Sequence, residues 1–177
     1  MEHITFRPVT MEDAGLITRW KQDPLVARMA LSKGFRTTEE AQLRDIKAFL
    51  DHPEEGRYDL ILLGGDRPVG YIRIDWIDEE KRKAWLRFAL GEERNRGIGR
   101  EALRLFIRRL FAQGCYRIEA ETYAFNQVSQ HVLEANGFLR EGVKRKAHWD
   151  GEDYSDIYLY GLLNEEKEPE KGPFISL

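Results

Sequence analysis

Cysteine is nearly absent: Cys115 is the single one in 177 residues. An intrachain disulfide and a cysteine-built zinc site are therefore excluded, and Cys115, at a helix–strand junction, reads as structural. Long hydrophobic runs are missing too. None approaches the roughly 20 apolar residues of a membrane span, and the N-terminal stretch has no signal-peptide core. The expectation is a cytoplasmic protein with no membrane partner. Charge of one sign is not in excess either: 28 Lys and Arg against 31 Asp and Glu give a net charge of −3. Nucleic acid is therefore not expected as a partner held by bulk basic charge. His131 and His148 lie at no metal-ligand spacing to another histidine or acid, so no metal is expected. Repeats and low-complexity tracts are absent.

What is present is a globular composition, 42% hydrophobic and 33% charged, long enough for one domain with a real core. Ile4-Thr5-Phe6-Arg7 alternates and stops at Pro8, a first strand. Thr10 with Asp13 marks a helix start running to about Lys21, with Leu16, Ile17 and Trp20 inward. Leu25 to Phe35 reads as a loop or short helix. Thr37 with Glu40 marks a second cap, followed by a stripe of Leu43, Ile46, Phe49 and Leu50. Three strands joined by short turns follow, Tyr58–Leu63, Arg67–Trp76 and Ala84–Leu90, so they should be antiparallel neighbours. A long helix after Gly99 presents Ala102, Leu103, Phe106, Ile107, Leu110 and Phe111 on one face. Tyr116–Tyr123 is then a strand parallel to Ala84–Leu90. Asn126 opens a shorter helix with Val128, Val132 and Leu133 inward, closed by Asn136-Gly137. A last hairpin turns at Asp150-Gly151. The basic residues Arg140, Lys144, Arg145 and Lys146 suit a solvated edge strand, and the aromatics Trp76, Trp85, Tyr154, Tyr158 and Tyr160 suit a core. The order predicts an α+β fold: a mixed, mostly antiparallel twisted sheet flanked by helices, with one β-α-β crossover. Residues 1–163 form the domain, and 164–177 form a charged, mobile tail.

The chemistry-bearing stretch is Leu86 to Leu110. A strand breaks at Gly91, a charged turn follows, and Gly97-Ile98-Gly99 opens the long helix. Such a start leaves main-chain N–H groups unpaired at the positive end of a helix, a phosphate site. Gly97 and Gly99, lacking Cβ atoms, let a ligand approach the main chain. A P-loop fails, because Arg100-Glu101 follows Gly99 rather than Lys-Ser/Thr. A dinucleotide fingerprint fits Gly97-x-Gly99-x-x-Ala102 literally, with Glu119 or Glu121 at ribose distance. Against it, Glu92 to Arg96 separates strand from turn, and the chain has only one crossover. The third reading is acyl-coenzyme A, with Arg94 and Arg96 as phosphate partners.

Arg94-x-x-Gly97-x-Gly99 after a strand, then Asn126-Gln127-Val128-Ser129 and Gly137-Phe138, resembles the GNAT superfamily of N-acetyltransferases. Arg140-Glu141-Gly142 is similar to its RimJ/RimL-type branch. The resemblance runs from Ile4 to Leu162. It implies acetyl-CoA as co-substrate, seated where Ala84–Leu90 and Tyr116–Tyr123 splay apart. It also implies a pantetheine arm paired with backbone near Phe88 and Ala89 and touching Asn126. The pyrophosphate would lie on main-chain N–H groups of Arg94, Asn95, Arg96, Gly97, Ile98, Gly99 and Arg100.

Acetyl transfer to an amine needs a neutral nucleophile. An alkyl ammonium with pKa ~10.4 costs roughly 4–5 kcal/mol to deprotonate at pH 7, an α-amine near ~7.8 about 1. A proton acceptor, a donor for the thioester oxygen and an acid for the thiolate are then required. The resemblance implies Glu121 as base. As residues alone, Arg117, Glu119 and Glu121 alternate on one strand face and also fit a solvated surface. The tyrosine that many GNAT enzymes use as acid is matched here by Leu133. Ser129 then resembles the acid of RimL-like enzymes, with a plain helix-start hydroxyl as its other reading; Tyr123 is a further alternative. The implied acceptor is a protein N-terminal amine or a small amine such as a polyamine or aminoglycoside. Its pocket is expected between Leu25–Phe35 and the last hairpin. A homodimer is the one assembly kept open. The alternatives are a non-catalytic acyl-CoA-binding module and a dinucleotide-binding oxidoreductase.

Overall fold

The computed structural model describes residues 3–30 and 37–166. Among these residues seven strands form one sheet: β1 (Ile4–Pro8), β2 (Gly56–Leu63), β3 (Arg67–Trp76), β4 (Lys83–Leu90), β5 (Arg117–Tyr123), β6 (Leu139–Trp149) and β7 (Tyr154–Leu163). Their spatial order is β1-β2-β3-β4-β5-β7-β6. Every pairing is antiparallel except β4 with β5. The helices are α1 (Ala14–Gln22), α2 (Pro24–Ala30), α3 (Glu39–Asp51), α4 (Ile98–Ala112) and α5 (Gln127–Glu134). The single parallel pair is the expected crossover. A dinucleotide-binding half would need a run of such units, so that reading has no support in the sheet.

The two faces carry separate cores. Phe106, Ile107 and Leu110 of α4 pack on Ile72, Ile74, Leu86 and Ile118. Ile17 and Trp20 of α1 and Ile46 of α3 pack on Tyr58, Leu60 and Tyr71. The strand period of two explains the division: Leu86, Phe88 and Leu90 face α4, while Arg87 and Ala89 face α1 and α3. No helix among the described residues is long and apolar enough to cross a membrane.

Several local expectations need correction. Thr38, not Thr37, caps α3, its Oγ1 accepting from Ala41 N–H at 3.1 Å. Thr38 holds the extended N-cap conformation next to Glu39, the first residue of α3; Thr37 is buried, and its carbonyl accepts from the Gln22 amide at 2.9 Å. Leu50 (50% exposed) and Val128 (63% exposed) leave their cores, because the α3 stripe turns through Gln42 and Ile46 and α5 presents Leu133. Tyr154, also exposed, packs on Trp149 at the hairpin end rather than in the core. Leu25–Ala30 lies within α2 (Pro24–Ala30), while 31–36 and most of the expected tail (167–177) lie outside the described residues. The basic strand β6 is indeed at the sheet edge. Cys115 is buried, its thiol 3.4 Å from the carbonyls of Arg82 and Arg117. Burial pushes its pKa up to about 11, the mark of an inert thiol.

Candidate active site

The site begins where a ladder stops. β4 and β5 are in register only from Lys83 opposite Arg117 to Trp85 opposite Glu119. Continued, the register would set Arg87 beside Glu121 and Phe88 beside Thr122; instead the strands part. Gly91 N–H bonds to Val69 O at 2.9 Å. The alternation of antiparallel bonding then turns the main-chain groups of Phe88 and Leu90 away from β3 and into the gap. Ala89 belongs to a pair bonded with Tyr71 and lines the gap with its side chain. The resulting cleft measures about 1240 Å³, larger than the ~300–1,000 Å³ typical for one small ligand.

The β4–α4 connection closes one end. Glu93 (φ 54), Asn95 (φ 63) and Gly97 (φ 76) all take left-handed conformations. Such conformations in a turn bring successive N–H groups into a concavity suited to anions. The first intrahelical bond of α4 runs from Glu101 N–H to Gly97 O at 3.1 Å, leaving the N–H groups before it without helical acceptors. A Cβ at Gly97 would meet nothing within 4 Å, so this glycine serves its backbone angle and leaves the cradle open. Gly99 differs from expectation: its missing Cβ faces Leu90 at 3.4 Å and Phe88 at 3.9 Å. It lets α4 pack on β4.

The arginines brace this turn. Arg94 donates to the carbonyls of Leu90 (3.2 Å) and Gly91 (2.8 Å) and pairs with Asp23 at 3.2 Å. Arg96 is exposed and pairs with Glu93, whose other partner is Arg67. Glu93 is held below the usual carboxylate range by its hydrogen bonds from Arg67 and Arg96. Gly91 is required by Trp20, whose indole would lie 2.1 Å from an added Cβ.

The opposite wall is β5 and the start of α5. Asn126 is 8% exposed. Its Oδ1 accepts from Ser129 N–H at 3.0 Å, capping α5, and its Nδ2 donates to Met29 O at 3.0 Å. Ser129, Tyr123 and the buried Leu133 line the cleft here. Glu121 lines it as well, and its carboxylate accepts from Lys144 Nζ at 2.8 Å. Arg117 binds Glu119 at 2.8 Å and Glu141 at 2.5 Å, completing the polar face of β5.

The second arm lies under α1 and α3, on the face bearing Arg87 and Ala89. Lys21, half-buried, donates to Gln42 Oε1 at 2.8 Å and stands 5.5 Å from the Tyr71 ring centroid. Arg73 pairs with Asp45 at 2.9 Å and Asp75 at 3.1 Å, and its guanidinium covers the Phe49 ring at 4.1 Å. Arg87 Nη2 is 2.9 Å from Asp75 Oδ2, but that oxygen has no aligned hydrogen bond; the contact is Coulombic. Burial pushes the Tyr71 hydroxyl up to about 12 and that of Tyr58 higher still.

A family model described as acetyltransferase (GNAT) domain matches residues 3–139. This chain belongs to the GNAT acetyltransferase family. The uncharacterised N-acetyltransferase p20 of Bacillus licheniformis is 29% identical over 171 residues, covering 93% of this chain and 95% of that protein. Among solved structures, RimL, a ribosomal-protein alpha-N-acetyltransferase in complex with coenzyme A, superposes with a TM-score of 0.81 at 19% identity. It covers 93% of this chain and 96% of its own. The spermidine N-acetyltransferase of Vibrio cholerae with coenzyme A and spermine gives 0.83 at 15% identity, over 92% and 96%. These identities show a shared fold, and the two structures differ in their acceptors, so likeness leaves the RimJ/RimL branch open.

Within this GNAT domain, Phe88, Ala89, Arg94, Asn95, Gly97, Gly99, Arg100, Asn126, Glu121 and Ser129 come together on one cleft. Two expected residues stand apart. Arg96 points out to its carboxylate partner, and the Ile98 side chain is buried in the α4 core; only their N–H groups remain with the turn. Sequence reasoning missed the second arm: Lys21, Gln42, Asp45, Tyr58, Tyr71, Arg73 and Arg87. Tyr71-x-Arg73-x-Asp75 and Arg87 sit at strand period two on a face otherwise apolar, a readable sign of a polar pocket.

Proposed function

We propose that this GNAT domain transfers the acetyl group of acetyl-CoA directly to a primary amine within one ternary complex. The observation that carries the reading is the parting of β4 from β5 beside a main-chain anion cradle. The gap offers the free peptide edge of Phe88 to an amide-bearing arm, and the Glu93–Gly97 turn with the α4 N-terminus offers N–H groups to a pyrophosphate. Arg94 holds the turn's shape, and Asn126 supports both α5 and the cleft wall. The Phe88 edge lies where a thioester oxygen would need a donor.

Glu121 is the proton acceptor of the proposal, on the wall facing Arg87, with Lys144 holding its carboxylate. Ser129 is the acid for the departing thiolate, since Leu133 offers no proton where a tyrosine would stand. The Asn126–Ser129, Gly137-Phe138 and Arg140-Glu141-Gly142 elements support a RimJ/RimL-type reading. Free-thiol release from acetyl-CoA over a panel of amines and N-terminal peptides tests the whole. Amine-dependent release is expected. Coenzyme A binding without release for any acceptor would leave a binding module.

A further inference from the structure

Resting on the acetyl-transfer reading, we infer that Lys21, with Arg73 and Arg87, forms a subsite for a carboxylate carried by the acceptor. The preferred acceptor is then an amine with an acidic group a few bonds away, and not a polyamine.

Among the described residues the charges facing Lys21 come from three elements: Asp45 of α3, Arg73 of β3 (with its partner Asp75), and Arg87 of β4. Arg73 is satisfied by Asp45 and Asp75, and Arg87 shares Asp75. Three cations stand against two carboxylates, so the cluster retains one positive charge. The surplus sits on Lys21. Among the described residues its partners are an amide oxygen at 2.8 Å and the Tyr71 ring, with no ion pair to a carboxylate. An ammonium has three donors, so two are left for a ligand. Glu121, the further carboxylate on the cleft wall, is held by Lys144.

A half-buried cation without a counter-ion is costly unless something in its working cycle neutralises it. Burial holds the Lys21 pKa below its usual value; Asp45 opposes that, and Arg73 and Arg87 add to it. A bound carboxylate would supply the missing charge and accept the free donors of Lys21. The same surplus repels a second ammonium, which disfavours di- and polyamines. The acid could belong to a free amino acid or to an acidic side chain near a peptide N-terminus; the chemistry is shared, and the test separates the sources.

The test measures acetylation kinetics for matched pairs that differ by one carboxylate: peptides Ser-Glu-Ala against Ser-Gln-Ala, and free aspartate against asparagine, with spermidine as control. Calorimetric binding of the same compounds to protein saturated with coenzyme A reads the subsite without turnover. The acidic member of at least one pair should show a KM lower by about 10- to 100-fold, the range of a charge-assisted hydrogen bond. Discrimination in the peptide pair alone identifies a protein terminus; discrimination in the amino-acid pair identifies a free amino acid. Lys21→Met should abolish the discrimination through KM, and Lys21→Arg should retain it. Coenzyme A affinity should match wild type in both. If no acceptor is acetylated while acidic compounds bind and Lys21→Met removes that binding, the transfer reading fails and the subsite stands. Transfer without acid preference, preference unaltered in Lys21→Met, spermidine as the best acceptor, or no binding of any acidic compound would each overturn the subsite.

Discussion

The two arms of the cleft are built in opposite ways. The arm proposed for the donor is a continuous piece of chain, Phe88 to Arg100, completed by Asn126 and Ser129. Its recognition groups are main-chain N–H and C=O set by backbone angles at Glu93, Asn95 and Gly97. The arm proposed for the acceptor draws single side chains from α1, α3, β2, β3 and β4, set by packing between a sheet and two helices. A site made of backbone tolerates changes of side chain but not of backbone conformation. A site made of side chains behaves the other way. The arms also touch: Asp23, following α1, pairs with Arg94, and Trp20 covers Gly91.

The largest effect should come from Gly97→Glu. It forces a side chain onto φ 76, costing about 1–3 kcal/mol of strain, and puts a carboxylate where the proposed pyrophosphate would lie. Coenzyme A affinity should fall by at least ~100-fold by calorimetry, with acceptor-arm ion pairs intact. An affinity equal to wild type would remove the anion cradle from the donor arm.

Next comes Glu121→Gln. A positioned base contributes about 10²–10⁴-fold, so turnover with an alkyl amine should drop by ~10² or more, and by less with an α-amine of lower pKa. Identical losses for both acceptors, or none, would make Glu121 a surface partner of Lys144.

Gly91→Ala tests the contact between arms. A methyl 2.1 Å from the Trp20 ring must displace α1, at a cost of about 1–3 kcal/mol. A chain of this size should melt roughly 2–4 °C lower per kcal/mol, and the KM for acceptor should rise. An unchanged melting temperature would show that Trp20 moves freely and the arms are not coupled.

The smallest effect concerns pH. Lys21 has a pKa below its usual value when folded, so the unfolded chain binds that proton more tightly. The destabilisation is complete below the lowered folded pKa, and stability from this group rises with pH up to ~10.4. Lys21→Met should therefore melt at or above the wild-type temperature at neutral pH, with the gap narrowing as pH rises to 10. A widening gap would contradict the sign of the shift.

The donor arm was legible because its signals are local. Gly97, the strand before it and the amphipathic helix after it lie within a few turns of chain, and each has a residue-level cause. Even there, two details needed three dimensions. Arg94 and Arg96 read as phosphate partners, yet Arg94 braces carbonyls and Arg96 serves Glu93. Gly99 read as room for a ligand, yet it is room for Leu90. Strand and helix spans were readable from periodicity, while the cap of α3 slipped by one residue because Thr37 and Thr38 carry the same side chain.

By itself the sequence determined the run of elements, the parallel crossover and the glycine turn that opens α4, because periodicity, chain connectivity and backbone angle are properties of neighbouring residues. The tertiary structure alone decided where β4 leaves β5, which acids Arg73 and Arg87 share, and that Lys21 has no ion pair among the described residues. Those facts depend on distances between residues far apart in the chain, and electrostatic partnership is settled by distance and burial, which no local pattern carries.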